Sequence, residues 1–576
     1  MSEGSSGPRA FSEGKRTAFP AATARPGRCR SRSPYGIFAP MPPEQSDSAY
    51  LTEVPYVRQF CAELNPAMLR ATAALAGCPP PAGDDFDYAE LGSGFGDTLA
   101  TFAAAYPRAR FVGIDVNPDH VRAARGLATQ GAVENVRFFE RDFEDLRPGE
   151  LPALDYLCAH GLLTWISPAK RRALWAYAAA QLKVGGLLYL GYNALPGWAA
   201  VAPLRRLMLD AAAAFEGTRE QRLRHALDTA KLLCDADAEY FVANPSAKEI
   251  LALMLKMGIP YAAHEFFNAH WEPMYFGDVA LEAAEHDLRF VGQLPLHLNF
   301  RDLAIARPLQ EASPPVSDRR AWERMRAFAA NEFFRRDVYV KGSVRRAENT
   351  TLAYLDATPF GTLVSADDVS RDLPLPGRSL RFTGPLFEAL IAALARRSST
   401  LADLHGEPSL ADFGADRVRQ SVLQLAMGKD VIPMALSSEG IGALGSRCRV
   451  PSAFNRAVLA QALSRKSAVT LASPVAGTGV ALSMLNAISL QALTEPRPEE
   501  RSEWIRALVD TNPLRLVDHG RPVEDKKALA QRLASHVAEF CATRLPKLVD
   551  LGVVETSRHA NDDGPPPASS DPTGAR

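Results

Sequence analysis

Residues 86–96 read Phe-Asp-Tyr-Ala-Glu-Leu-Gly-Ser-Gly-Phe-Gly, and they decide the fold. A short apolar run, Phe86 to Leu91, predicts a strand. It enters a glycine-rich turn, Gly92-Ser93-Gly94-Phe95-Gly96, and a helical pattern follows from Asp97 to Ala105. Outward from this unit the same alternation continues. Strands are expected at Arg110 to Ile114, Val136 to Glu140, Leu154 to Ala159 and Leu187 to Gly191, with helices at Pro118 to Ala128 and Pro168 to Leu182. Strands alternating with helices imply a parallel α/β sheet with crossover helices. The special residues fall at strand ends: Asp115 after the second, Asp142-Phe143 after the third, His160-Gly161 after the fourth, Tyr192-Asn193 after the fifth. The carboxyl edge of such a sheet is where ligands bind.

The glycines let the backbone turn sharply and approach a ligand closely. Their spacing, G-x-G-x-G behind the acid Glu90, is neither the dinucleotide fingerprint nor the P-loop. No lysine follows to hold a phosphate, and Asp97 at the helix start would repel one. The loop therefore suits a ligand bearing an ammonium or sulfonium. Asp115 stands where an acid binds ribose hydroxyls, and its two oxygens fit a vicinal diol. An acid-led glycine loop, a ribose acid and an Asp-Phe after the third strand point to S-adenosyl-L-methionine.

These residues resemble the motifs of class I S-adenosylmethionine-dependent methyltransferases. The resemblance implies a Rossmann-like domain in which Glu90, Gly92, Ser93, Gly94 and Gly96 hold the methionine part. It gives Asp115 the ribose, and Asp142 the adenine amine with Phe143 nearby. Three further segments resemble bacterial methyltransferases with a methyltransferase regulatory domain, among them rickettsial-type protein-lysine methyltransferases. They are Tyr50 to Tyr56; Cys158 to Gly161 with Trp165, Tyr192-Asn193 and Pro196 to Trp198; and His264 to Phe267 with Glu272 to Phe276. Val57 to Phe60 departs from that family. The likeness implies methylation of protein lysines, with a small-molecule acceptor or a non-catalytic cofactor-binding role as alternatives. His160, Tyr192 and Asn193, flanking the expected methyl position, are the candidate catalytic residues. His160 could take a proton, polarise through a hydrogen bond, or cap a strand. Trp165, Tyr192 and Trp198 could wall a cation or simply pack.

The 576 residues lead to an expectation of roughly three to four domains. Residues 1–48, rich in Ser, Pro, Gly and Arg, read as a disordered tail without a secretory core. The catalytic domain is expected at 49–224 and a helical regulatory insertion at 225–312, with a sixth strand near Leu288 to Leu294. A mainly helical, winged-helix-like region is expected at 320–555, read from helices at Pro385 to Ala395 and Arg417 to Met427 and a short strand at Asp430 to Pro433. A tail from 556 to 576 follows. The uncharged stretch Ser467 to Leu493 contains Ser-Pro and Gly-Thr-Gly and reads as a buried loop, not a membrane span.

Lys plus Arg is 65 and Asp plus Glu is 66, a net charge of −1. No global field selects nucleic acid or anionic lipid, so nucleic acid is not an expected partner; the protein substrate is what the resemblance implies. Seven scattered cysteines without C-x-x-C suit a reducing, cytoplasmic setting and no zinc ribbon. His264-Glu265 has its next histidine at 270, which misses the H-E-x-x-H spacing, so no metal is expected.

Overall fold

The computed structural model describes residues 58–557, apart from 313–317, 343–347, 441–443, 446, 466, 513, 515, 516, 519, 520 and 524. Tyr50 to Tyr56, the tail at 1–48 and residues 558–576 lie outside the described residues. After a short turn at Ala62–Leu64 the chain enters α1 (Pro66–Leu75). The expected alternation follows as β1 (Asp87–Leu91), α2 (Asp97–Ala105), β2 (Arg110–Asp115), α3 (Pro118–Gln130), β3 (Val136–Glu140), β4 (Leu154–His160), α4 (Pro168–Gln181) and β5 (Leu182–Asn193). Prolines open α1, α3 and α4, where a missing N–H costs nothing. Asn65, Asn117 and Ser167 cap those helices through side-chain oxygens.

A helical layer comes next: α5 (Ala202–Ala214), α6 (Arg219–Asp235), α7 (Glu239–Ala243), α8 (Pro245–Met257) and α9 (Ile259–Phe266). It packs around its own core of Trp198, Leu204, Met208, Leu227, Leu251 and Phe266. Then α10 (Phe276–Glu285) and β6 (Leu288–Gln293) lead through the short α11 (Arg301–Ala304) and α12 (Arg307–Ala312) to α13 (Arg319–Ala329) and β7 (Phe334–Lys341).

The seven strands lie in the order β3-β2-β1-β4-β5-β7-β6, with β7 antiparallel to both its neighbours. This corrects one expected boundary. The last strand of the sheet falls beyond residue 320, so α13 and β7 complete the α/β domain and do not open the C-terminal region. The two faces of the sheet bury different sets. Tyr88, Phe111, Tyr156, Cys158, Tyr189 and Val338 face one core, shared with α1, α2 and α3. Leu91, Ile114, Leu157, Leu188, Leu190 and Tyr192 face the other, shared with α4 and α10.

The C-terminal region shares the first of these cores. Its helices Pro385–Arg396, Leu401–His405 and Ala415–Ala426 precede the strand Val431–Pro433, so a third, short helix stands between the two expected ones. That strand pairs with Phe360–Thr362, which comes before the first of the helices. The uncharged stretch is not a loop. It forms an antiparallel hairpin, Val469–Ser473 with Thr478–Leu482, and the buried helix Met484–Thr494. Gly477 turns the hairpin at φ 63°, and a Cβ there would stand 2.1 Å from the hydroxyl oxygen of Tyr106. A Cβ on Gly479 would stand 2.7 Å from the ring of Phe60. The hairpin thus rests on the end of α2 and on the segment before α1. Among the described residues no helix is long and apolar enough to cross a membrane.

Candidate active site

β1 delivers Glu90 and the glycine turn to the carboxyl edge of the sheet. Gly92, Gly94 and Gly96 all have positive φ, at 73°, 54° and 71°. Their surroundings differ. A Cβ on Gly96 would come 2.7 Å from Ala124 and Phe138, so that glycine serves packing against α3 and β3. A Cβ on Gly94 would meet nothing within 4 Å, so the turn is open there. Asp115, 8% exposed, holds the turn: Gly94 N–H donates to Oδ2 and Asn117 N–H donates to Oδ1, each at 2.8 Å. His120 Nδ1 lies 3.4 Å from Oδ1. The His120 ring packs at 4.5 Å on Phe95, whose face is covered by the Arg58 guanidinium at 4.6 Å. Arg58 is also paired with Asp97 at 2.9 Å, so the acid at the head of α2 carries its own cation.

Glu90 is buried beneath this turn, and burial followed by the nearby charge of Asp115 pushes its carboxyl up to about 8. Its Oε2 and the Oγ of Ser93 are buried without a hydrogen-bond partner among the described residues. Orphaned polar atoms beside an open glycine turn are what a ligand with an ammonium group would complete. Glu90, Ser93 and the Gly94 turn therefore fit the methionine part of S-adenosylmethionine, and Asp115 retains acceptor capacity for the ribose. At the end of β3, Asp142 accepts from Glu144 N–H and from Lys170 Nζ. The same ammonium lies 3.5 Å from Glu144 and 5.8 Å from the Phe143 ring centre. The Phe143 ring itself is in the core.

The three expected acceptor residues separate. β4 and β5 pair His160 with Gly191, and β5 and β7 pair Gly191 with Arg336 and Asn193 with Phe334. Residues paired across strands share a face, so His160, Asn193, Phe334 and Arg336 lie on one side of the sheet. By alternation Glu90 shares it. Tyr192 lies on the opposite side, wholly buried, and its hydroxyl donates to Asp337 at 2.7 Å. This corrects its expected place beside the acceptor: one residue of strand reverses the direction of a side chain. Asp337 belongs to a buried ionic network in which Arg335 also reaches Glu332 and Glu323, and Arg326 reaches both glutamates. Trp198 is also core: its Nε1–H donates to the Phe333 carbonyl, and its ring packs on Phe266 and Trp271. Trp165 remains at the cleft, with its ring over Gly161 and its Nε1–H directed to the Glu265 carbonyl at 3.4 Å.

His160 Nδ1 is 2.9 Å from the Tyr189 hydroxyl, and the Phe334 ring is 5.4 Å away. Burial lowers its pKa to about 4; Glu63 opposes the shift and Arg336 adds to it. Asn193 gives its N–H to Thr164, while its buried Nδ2 has no partner among the described residues. Sequence reasoning overlooks four neighbours: Glu63, Tyr189, Phe334 and Arg336. The strand alternation that leads from His160 to Gly191 could have found Tyr189. Glu63 and Arg336 meet at 2.7 Å only through the fold.

Residues 89–188 match the family described as a methyltransferase domain, and residues 260–341 the family described as a predicted methyltransferase regulatory domain. The fold is that of the PKMT2 structure from Rickettsia typhi in complex with AdoHcy, with a TM-score of 0.68 and 17% identity, covering 87% of this chain and all of that one. An uncharacterized Synechocystis protein is 29% identical over 508 residues, 88% of this chain and 99% of its own length. An uncharacterized protein of Rickettsia prowazekii is 25% identical over 55% of each chain. The matched domain on this Rossmann-like fold makes the chain an S-adenosylmethionine-dependent methyltransferase. More particularly, its catalytic domain is joined to a methyltransferase regulatory domain whose matched residues include β6 and β7 of the sheet.

Proposed function

We propose that this enzyme methylates lysine side chains of proteins. The observation that carries the reading is one face of the sheet, which carries Glu90, His160 and the orphaned amide of Asn193, with the carboxylate of Glu63 close to His160. The likeness to a protein named PKMT2 over 87% of the chain supports it.

When bound, S-adenosylmethionine supplies an electrophilic methyl group on a sulfonium. The chain's own residues align and exclude water. Gly94, Asp115, Glu90 and Ser93 hold the cofactor in the turn, and Asp142 and Asn193 are assigned to the adenine and acceptor sides. The Tyr189 hydroxyl and Nδ1 of His160 share a hydrogen bond at 2.9 Å that fixes the ring. The neutral ring then helps to orient the acceptor without taking up its lone pair. Neither His160, with its pKa near 4, nor Glu63, held below the usual carboxylate range, can take the proton of an ammonium of pKa ~10.4. The amine loses that proton to solvent before it attacks. A cytoplasmic setting is part of this reading, supported by six free thiols among the described residues.

The test is transfer of labelled methyl from S-adenosylmethionine into a bacterial proteome, with the labelled residue identified by mass spectrometry. Labelled lysine is expected. Cofactor binding with no label in protein, or label only in small molecules, overturns the reading.

A further inference from the structure

The ion pair Glu63–Arg336 stands at the mouth of the acceptor face, and its two halves come from opposite ends of the domain. Glu63 lies in the turn before α1. Arg336 lies on β7, within the regulatory match. Register places His160, Gly191 and Arg336 in a row across three adjacent strands, with His160 and Arg336 about 10 Å apart at their Cα atoms. Gly191 between them has no side chain, and a Cβ there would come 2.7 Å from His160 Nδ1 and 3.2 Å from the Phe334 ring. His160 and Phe334 therefore close over it, and the Arg336 guanidinium rests against the Phe334 ring at 5.0 Å.

The pair is only half made. Arg336 reaches Glu63 through a single hydrogen bond, Nε to Oε1 at 2.7 Å, and not through the two-pronged guanidinium–carboxylate contact. Glu63 and Arg336 keep 28% and 33% of their side-chain surfaces exposed. An ion pair at the solvent boundary is weak and readily exchanged. Burial alone would raise the Glu63 carboxyl, but its backbone hydrogen bond, Arg336 and His160 together hold it below the usual range, so it is anionic at neutral pH. A carboxylate held by one partly exposed cation contact, next to an uncharged imidazole and an aromatic ring, is a binding site for an alkylammonium ion.

We propose that Glu63 binds the ammonium group of the incoming acceptor through its carboxylate, with Arg336 as the resident cation that competes for the same group. The proposal rests on the lysine reading above and refines it: recognition uses the cationic form of the side chain, and reaction uses the neutral one. Arg336 is then a positioning residue that weakens acceptor binding and rejects amines lacking further contacts.

Two variants and two probes test it. With a lysine-rich decapeptide as acceptor, Glu63→Gln should raise KM at least about tenfold, the loss expected for one charge-assisted hydrogen bond. Its affinity for S-adenosylhomocysteine should stay within about twofold of the parent, which also reports that it folds. Arg336→Gln should lower KM, because the competing cation is gone. A merely structural Arg336 would give the opposite sign. Binding of n-butylammonium to the S-adenosylhomocysteine complex, followed by NMR, needs no turnover and should be lost in Glu63→Gln. If the decapeptide is not methylated but butylammonium binds through Glu63, the lysine reading fails and the cation site stands. Unchanged KM and unchanged butylammonium binding in Glu63→Gln, or weaker acceptor binding in Arg336→Gln, overturns the proposal.

Discussion

The hydroxyl of Tyr192 donates to the carboxylate of Asp337 on the face of the sheet turned away from His160. Asp337 also accepts from Arg335, and both are fully buried. Tyr192 therefore belongs to the support of β5 and β7. Tyr192→Phe should lower stability by roughly 1–3 kcal/mol, since a buried acceptor loses its donor. Cofactor affinity and acceptor KM should stay near the parent values. Chemical denaturation and steady-state kinetics check both halves; a large rise in KM without loss of stability would return Tyr192 to the acceptor site.

Arg335 is the centre of that network, reaching Asp337, Glu332 and Glu323 with no exposed surface. Arg335→Met leaves buried Asp337 without a cation, while Glu323 and Glu332 keep Arg326. Breaking a buried pair from one side costs about 3–5 kcal/mol. The expected outcome is a protein that unfolds at markedly lower denaturant and binds cofactor normally at low temperature, measured by circular dichroism and calorimetry.

Asp115 receives two backbone N–H groups, one from the turn and one from the start of α3. Asp115→Ala frees the turn and removes the ribose acceptor together. Cofactor affinity should fall by about 10- to 100-fold, the worth of one or two charge-assisted hydrogen bonds. Calorimetric titration with S-adenosylhomocysteine measures this, and unchanged affinity would remove Asp115 from the site.

Glu90 has its carboxyl at about 8 without ligand, so it is largely protonated at pH 7. A bound cation beside it favours the anion. Cofactor binding near pH 7 should therefore release a proton, and affinity should rise with pH until about pH 8 and level off above. Calorimetry in buffers of different ionisation enthalpy detects the proton, and Glu90→Gln should abolish it. In the folded chain alone the sign is the reverse: between about pH 4.5 and 8 only the unfolded state ionises Glu90, so this residue reduces stability as pH rises.

His160 contributes in the acid range. Below pH 6.5 the unfolded chain protonates this residue, while the folded chain resists until about pH 4. Stability should fall with pH across that window, by on the order of 3 kcal/mol at its end. His160→Asn should flatten this part of the profile. An identical pH dependence in the two proteins would show that the ring is not held neutral.

The catalytic core is legible because strand ends concentrate its chemistry. Glu90, Asp115, Asp142 and His160 each stop an apolar run, and the structure ends β1 to β4 within two residues of them. The last strand is illegible for an electrostatic reason. Phe334–Lys341 carries Arg335, Arg336 and Asp337 in succession, which reads as a solvated segment. Arg335 and Asp337 are buried and pair with each other, and Glu323 of α13 completes the balance, a compensation that local pattern does not display. The acceptor face shows the same difficulty over a longer range. Arg336 and Glu63 are 273 residues apart, and neither has a neighbour in sequence that marks it. Tyr192 shows a finer one: a motif locates a strand end but does not say which side of the sheet each residue serves.

The hairpin at Val469–Leu482 fixes how this enzyme can be divided. Its glycines admit Tyr106 at the end of α2 and Phe60 in the segment before α1, and the whole C-terminal region shares one apolar interior with α1 to α3. The helix that follows the cofactor turn is thus clamped from behind by residues nearly four hundred positions later. A chain cut after β7 would bare that interior, so the catalytic half of this molecule is not a portable module. Any signal that loosens the distal half has a direct mechanical route to the cofactor turn.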